Sequence, residues 1–134
     1  MQATRHERLT VITADAVVTV RQVVRDFAID ARLSLVDQTK LITAASELAR
    51  NMVIYGGGGT VLVEKVENDG NTGVRATFTD EGPGIDDIEL ALRNGYTTGS
   101  GLGLGLGGAK RLVHEFDLQS EKGRGTIIAI TRWK

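Results

Sequence analysis

The sequence predicts an α+β fold: a two-layer α/β sandwich in which one mostly antiparallel, mixed sheet carries helices on one face. Three observations point there. Apolar residues recur at period 2 in some stretches and near 3.6 in others. The strand-like runs are joined in pairs by turn residues. Helical stretches are inserted between those pairs and do not alternate singly with strands, which favours antiparallel over parallel pairing.

Leu9 to Thr13 (LTVIT) alternates apolar and polar residues and is predicted as a short strand. Asp15 is placed to cap the helix that follows, where Val17, Val20, Val24 and Phe27 share one face and Arg21, Arg25 and Asp26 turn elsewhere. The chain breaks between Asp30 and Leu33. Ser34-Leu-Val-Asp37 then resembles a capping box, with Asp in place of Glu or Gln, and opens a second helix. Its apolar stripe is Leu41, Ala45, Leu48 and Met52, and Gly56 to Gly59 stop it after Tyr55. Strands over Thr60–Val66 and Val74–Thr79 flank the turn-rich segment Asn68 to Gly73. Short helices are expected over Ile85–Leu92 and Leu106–Phe116. A closing hairpin pairs Asp117–Ser120 with Thr126–Trp133 through Glu121 to Arg124, and its last strand (TIIAITRW) is apolar enough to be central.

At 134 residues the chain is expected to be one domain, residues 1–134, with no repeat or linker. The net charge of −1, with both signs interspersed, gives no footprint for nucleic acid or an anionic membrane, so neither is expected as a partner. No cysteine is present, which excludes disulfides and thiolate metal sites. The N-terminal stretch MQATRHER is polar and has no signal core, and no apolar run approaches the roughly 20 residues of a membrane helix. The expected location is the cytoplasm.

Four short patterns carry chemistry. Glu47 and Asn51 stand four apart on the second helix, so their side chains leave it on one edge. A carboxylate accepts a proton and an amide oxygen is a hard, neutral ligand suited to Mg²⁺; the same pair also suits a solvated helix face. Asp80 closes an apolar strand and is followed by Glu81-Gly82-Pro83-Gly84. A carboxylate there can accept from an exocyclic amine such as that of adenine, with Gly82 and Gly84 letting a flat base reach the backbone. The competing reading is a plain turn. Seven of the 17 glycines fall between Gly95 and Gly108, and Gly101, Gly103 and Gly105 precede a helix bearing Lys110 and Arg111. Backbone N–H groups at such a loop close around an anion; a surface loop or mobile lid is the other reading. The pattern is neither the Walker motif nor a dinucleotide fingerprint. Gly125-Thr126 opens the last strand and adds a hydroxyl. His6 and His114 have no partners at metal-ligand spacing, so His6 reads as tail and His114 as an interfacial helix residue.

Taken in order, E-x-x-x-N, D-x-G-x-G, G-x-G-x-G and G-T resemble the N box and three glycine boxes of the GHKL superfamily of ATP-binding domains, over nearly the whole chain. Within it, Ala45-Ser-Glu-Leu-Ala-Arg-Asn51 with Tyr55 and its glycines, Asp80-Glu-Gly-Pro-Gly-Ile85 and Gly101-Leu-Gly-Leu-Gly-Leu-Gly107 with Lys110-Arg-Leu112 look like the anti-sigma-factor serine/threonine kinases, among them the RsbT-type switch-protein kinases. Gly107 stands where that family often has proline, a departure that loosens the start of the last helix. Sensor histidine kinases share the boxes but add a dimerisation domain bearing a phosphoacceptor histidine, and none is expected here.

The resemblance implies the Bergerat ATP-binding fold, with ATP and Mg²⁺ as cofactors. It implies Asp80 for adenine recognition, with Gly82, Gly84, Ile85 and Thr126 completing the base pocket. Gly101, Leu102, Gly103, Leu104 and Gly105 would form the phosphate loop, Asn51 would ligate Mg²⁺, and Glu47 would act on a serine hydroxyl. A carboxylate is a weak base, so orienting that hydroxyl is a natural part of the role. The implied function is phosphorylation of STAS-domain antagonist or scaffold proteins in bacterial partner switching, with a phosphatase activator or a sigma factor as a further partner. The alternatives are a nucleotide-gated binding module and a factor that sequesters its partner without essential catalysis.

Overall fold

The computed structural model describes residues 1–85 and 106–134. In chain order the elements are β1 (Gln2–Val11), α1 (Ala14–Asp30), α2 (Leu35–Tyr55), β2 (Gly59–Asn68), β3 (Asn71–Asp80), α3 (Leu106–Arg111), β4 (Glu115–Glu121) and β5 (Gly125–Trp133). The five strands form one sheet in the order β1-β2-β3-β5-β4. All four pairings are antiparallel, so the expected antiparallel sandwich holds and β5 is an interior strand.

Strand register sorts the side chains into two faces. Val61, Val63, Ala76, Phe78, Ile128 and Ile130 are cross-strand neighbours on one face and are buried. They meet Val20, Val24 and Phe27 of α1 and Leu41, Ala45 and Leu48 of α2 in one core. The helical stripes read from the sequence are therefore the ones that pack.

Local chemistry sets the helix ends. The α1 terminus uses a paired-bond stop: Leu33 N–H donates to Ala28 O and Arg32 N–H to Ile29 O, with Arg32 in the left-handed region at φ 61°. At the start of α2, Ser34 Oγ accepts from Asp37 N–H at 3.1 Å, as the capping motif requires. The reciprocal half of the box is absent. Arg132 captures the Asp37 carboxylate from the far end of the chain, with Nε and Nη2 donating to Oδ1 at 2.9 and 2.7 Å. A charged guanidinium competes better for a carboxylate than a neutral backbone amide does. Nη1 of the same arginine donates to the Leu112 carbonyl at 2.9 Å, so one side chain joins the start of α2 to the residue after α3.

This pair is largely shielded, with side-chain exposures of 11% for Arg132 and 22% for Asp37. The Arg132 hydrogen bond holds the Asp37 carboxyl below its ordinary value of 3.8 against the opposing effect of burial. A depressed carboxylate stabilises the fold above its unfolded value, and that contribution is lost as pH falls through the folded value. Asp37→Ala is expected to cost about 3 kcal/mol at neutral pH, because it strands a shielded guanidinium. The gap from the parent should narrow in acid below pH 3.8. Urea unfolding at both pH values checks this, and equal stability at neutral pH would contradict it.

Several elements differ from expectation. The first strand begins at Gln2, so the polar N-terminal stretch with His6 is an edge strand and not a tail. Arg5 within it donates to Asp30 at 3.1 Å and lies 4.0 Å above the Phe27 ring. Thr13, with no side-chain hydrogen bond, caps α1, and Asp15 sits in the first turn. The hairpin between β2 and β3 turns on Asp69 and Gly70 alone, at φ 53° and 82°, the two-residue geometry that matches strand twist. The helix expected to run to Phe116 stops at Arg111. His114 lies in the link to β4 and accepts from Trp133 N–H through Nδ1, while Glu115 and Phe116 already belong to β4. Gly107 is buried within α3. The helix expected over Ile85–Leu92 lies outside the described residues except for Ile85, which is buried and not helical. Among the described residues no helix is long and apolar enough to cross a membrane.

Candidate active site

The site is built where β3 ends. Asp80 pairs with Gly59 of β2 on one side and Thr126 of β5 on the other, so its side chain continues the core-facing row of Ala76 and Phe78 to the sheet's edge. There it lines a pocket with Asn51 from α2, Gly84 and Ile85 from the following loop, and Thr126. Phe78, Ile128, Leu48 and Leu106 supply apolar walls.

The Asp80 carboxylate is held in one orientation. Its Oδ1 accepts from Gly82 N–H at 2.9 Å, which makes the loop a turn and a pocket wall together. Burial raises the Asp80 carboxyl above its ordinary value of 3.8, opposed by the backbone N–H groups of Gly82 and Thr126. Gly56, just past α2, makes room for this carboxylate: a Cβ there would stand 2.7 Å from Asp80 Cγ. The glycines after Tyr55 therefore do more than end a helix.

The loop is clasped by the β4–β5 hairpin. Gly123 N–H donates to Pro83 O at 2.8 Å, and Ile85 N–H donates to Ser120 Oγ at 2.8 Å. Backbones approach so closely that a Cβ on Gly84 would lie 2.3 Å from Glu121 O, and one on Gly125 would lie 2.1 Å from Asp80 O. Both residues also take positive φ, so only glycine suits either position.

Of the residues expected at the site, Asn51, Asp80, Gly84, Ile85 and Thr126 come together around one pocket. Gly82 stands behind it, where a Cβ would lie 2.7 Å from Gly56 Cα. Glu47 lies one turn back along α2, outside that lining, with Oε1 accepting from Arg50 Nη1 at 2.8 Å. Gly101, Leu102, Gly103, Leu104 and Gly105 lie outside the described residues. No cluster of three metal-ligating side chains is present among the described residues. Sequence reasoning gave Gly56 only as a helix stop and a member of the family pattern, not as the space for Asp80, and missed Ser120. The signal for Ser120 is a polar residue at the third inward position of a strand whose first two are Phe116 and Leu118.

Comparison with known proteins identifies the family. Residues 36–133 match the model of the histidine kinase-, DNA gyrase B- and HSP90-like ATPase family. The chain is 42% identical over 123 residues to the serine/threonine-protein kinase RsbT of Bacillus subtilis, covering 92% of each. It is 32% identical over 120 residues to the anti-sigma F factor of Clostridium acetobutylicum, covering 84% of this chain and 81% of that protein. Among solved structures, the RsbU and RsbW domains of a Mycobacterium tuberculosis protein align with a TM-score of 0.66 at 24% identity, over 98% of this chain and 33% of that one, which establishes the shared fold. The chain belongs to the histidine kinase-, DNA gyrase B- and HSP90-like ATPases and, within them, to the serine/threonine-protein kinases of the RsbT and anti-sigma-factor group.

Proposed function

We propose that this kinase works in a bacterial partner-switching pathway in the cytoplasm, transferring the γ-phosphoryl group of ATP to a serine or threonine of a STAS-domain antagonist or scaffold protein. The observation that carries the reading is the Asp80 carboxylate, oriented by Gly82 N–H inside a pocket that it shares with Asn51 and Thr126. A fixed, half-buried acceptor beside an apolar slot suits a flat base bearing an exocyclic amine.

The roles in this reading are as follows. Asp80 receives the amine of adenine, and the apolar side chains of Phe78 and Ile128 exclude water around the ring. The Asn51 amide oxygen would hold Mg²⁺ at the pocket's mouth. That ion would neutralise charge on the phosphate oxygens, the main demand of phosphoryl transfer. Gly101, Gly103 and Gly105, with Leu102 and Leu104 between them, are assigned to the phosphates through their backbone N–H groups. Glu47 is assigned to the incoming hydroxyl. As the serine oxygen bonds to the γ-phosphorus and the bond to the β-phosphate bridge breaks, the hydroxyl proton passes to the Glu47 carboxylate or to water oriented by it. The Arg50 ion pair seen here would hold that carboxylate in place until a substrate hydroxyl arrives.

A downstream phosphatase activator or sigma factor is the second partner in this reading. Calorimetric titration with ATP in the presence and absence of Mg²⁺ tests the nucleotide site. Tighter binding with the ion is expected, and no heat of binding under either condition would overturn the assignment.

A further inference from the structure

Three polar groups converge on the hydroxyl of Ser120. Ile85 N–H donates to Oγ at 2.8 Å, the Gly125 carbonyl lies 3.1 Å away, and Thr126 Oγ1 lies 2.9 Å away. A serine hydroxyl has one proton and two lone pairs. Ile85 takes one lone pair. The Gly125 carbonyl can only accept, so it takes the proton. The remaining contact then requires Thr126 to donate to the second Ser120 lone pair. All three bonds form together in that arrangement alone.

The consequence lies in the pocket. Thr126 is 8% exposed and lines the pocket beside Asp80. With its proton committed to Ser120, its oxygen has only lone pairs left to offer. The neighbouring Asp80 carboxylate also only accepts when ionised. Two adjacent acceptors suit a purine carrying an amine. They leave an oxo group at the same position facing lone pairs, with no partner.

Resting on the nucleotide-site reading above, we propose that Ser120 sets base selectivity. It is a positioning residue that makes Thr126 an acceptor and so selects 6-amino over 6-oxo purine nucleotides. Removing the Ser120 hydroxyl frees the Thr126 proton to turn toward the pocket and donate to an oxo group.

The test compares the affinities of ATP and inosine triphosphate, two nucleotides that differ in the amino or oxo group at this ring position and, with it, in whether the adjacent ring nitrogen accepts or donates. The parent protein is expected to prefer ATP by at least about tenfold, the scale of one hydrogen bond made against one lost. Ser120→Ala should narrow that ratio by about tenfold, whereas Ser120→Thr, which keeps the hydroxyl, should retain it. A purely structural role would weaken both nucleotides by the same factor and leave the ratio unchanged, which would overturn the proposal. Should Ser120→Ala fail to fold by circular dichroism, Thr126→Val decides: a narrowed ratio supports the proposal and an unchanged one overturns it. A parent protein that binds ATP without discriminating refutes the Ser120 role alone, whereas one that binds neither nucleotide refutes the nucleotide site as well.

Discussion

Asp80→Asn is expected to weaken ATP binding by about a hundredfold while leaving the fold intact, an effect on the scale of one charge-assisted hydrogen bond replaced by a mismatch. The geometry gives the reason an isosteric change is expected to have so large an effect. Gly82 N–H pins one carboxylate oxygen at 2.9 Å, and an asparagine oxygen would satisfy that bond equally well. Its NH₂ group would then point toward the pocket and oppose the amine of the base, donor against donor. The fold is spared because a neutral side chain of the same shape avoids the burial that raises this carboxyl. The parent protein should also lose ATP affinity on acidification earlier than an ordinary carboxylate would, since Asp80 protonates above 3.8. The stability effect has the opposite sign to that of Asp37: protonating Asp80 relieves a buried charge as pH falls. Calorimetry across pH on both proteins measures this. Retained affinity in the asparagine variant would remove Asp80 from base recognition.

Glu47→Ala is expected to keep ATP affinity roughly unchanged and to slow phosphoryl transfer by about 10²- to 10⁴-fold, the range for a positioned acid–base group. The separation of effects follows from position. Glu47 stands one helical turn before Asn51 on α2 and outside the lining that holds Asp80 and Thr126, so its loss removes nothing from that lining. The Arg50 guanidinium loses its partner, but at 52% side-chain exposure water replaces that partner at little cost. Single-turnover transfer on the two proteins, with ATP saturating, separates chemistry from binding. A variant equally impaired in ATP binding would place Glu47 in the nucleotide site instead.

The parts of the fold legible in the sequence were those with strong local chemistry. Ser34 announces α2 because its hydroxyl caps the helix within four residues, and Val20, Val24 and Phe27 announce α1 because one helix face must be apolar to be buried. The edge strand β1 was hidden at its N-terminal end for the converse reason. From Gln2 to Arg8 every residue is exposed, so no hydrophobic alternation marks it, and backbone pairing with β2 holds it in place. The end of α3 was misread because Leu112, Val113 and Phe116 fit a helical stripe while Phe116, Leu118 and Ser120 fit a strand. Pairing with β5 decides in favour of the strand. At the site, Asp80, Asn51 and Thr126 were visible as members of an ordered motif set. The contact of Gly56 with Asp80 and the whole role of Ser120 were not, because each acts on a residue distant in sequence: Gly56 beneath Asp80, and Ser120 against Ile85. The Asp37–Arg132 pair, 95 residues apart, was invisible for the same reason.

The most direct test of the central claim is intact-protein mass spectrometry of a STAS-domain protein from the same genome, after incubation with this kinase, ATP and Mg²⁺. The expected result is one phosphoryl group added to a serine or threonine, and its disappearance when Glu47→Ala replaces the parent. An unmodified STAS protein, under conditions where ATP binding is independently confirmed, would contradict the account and leave a nucleotide-gated binding module in its place.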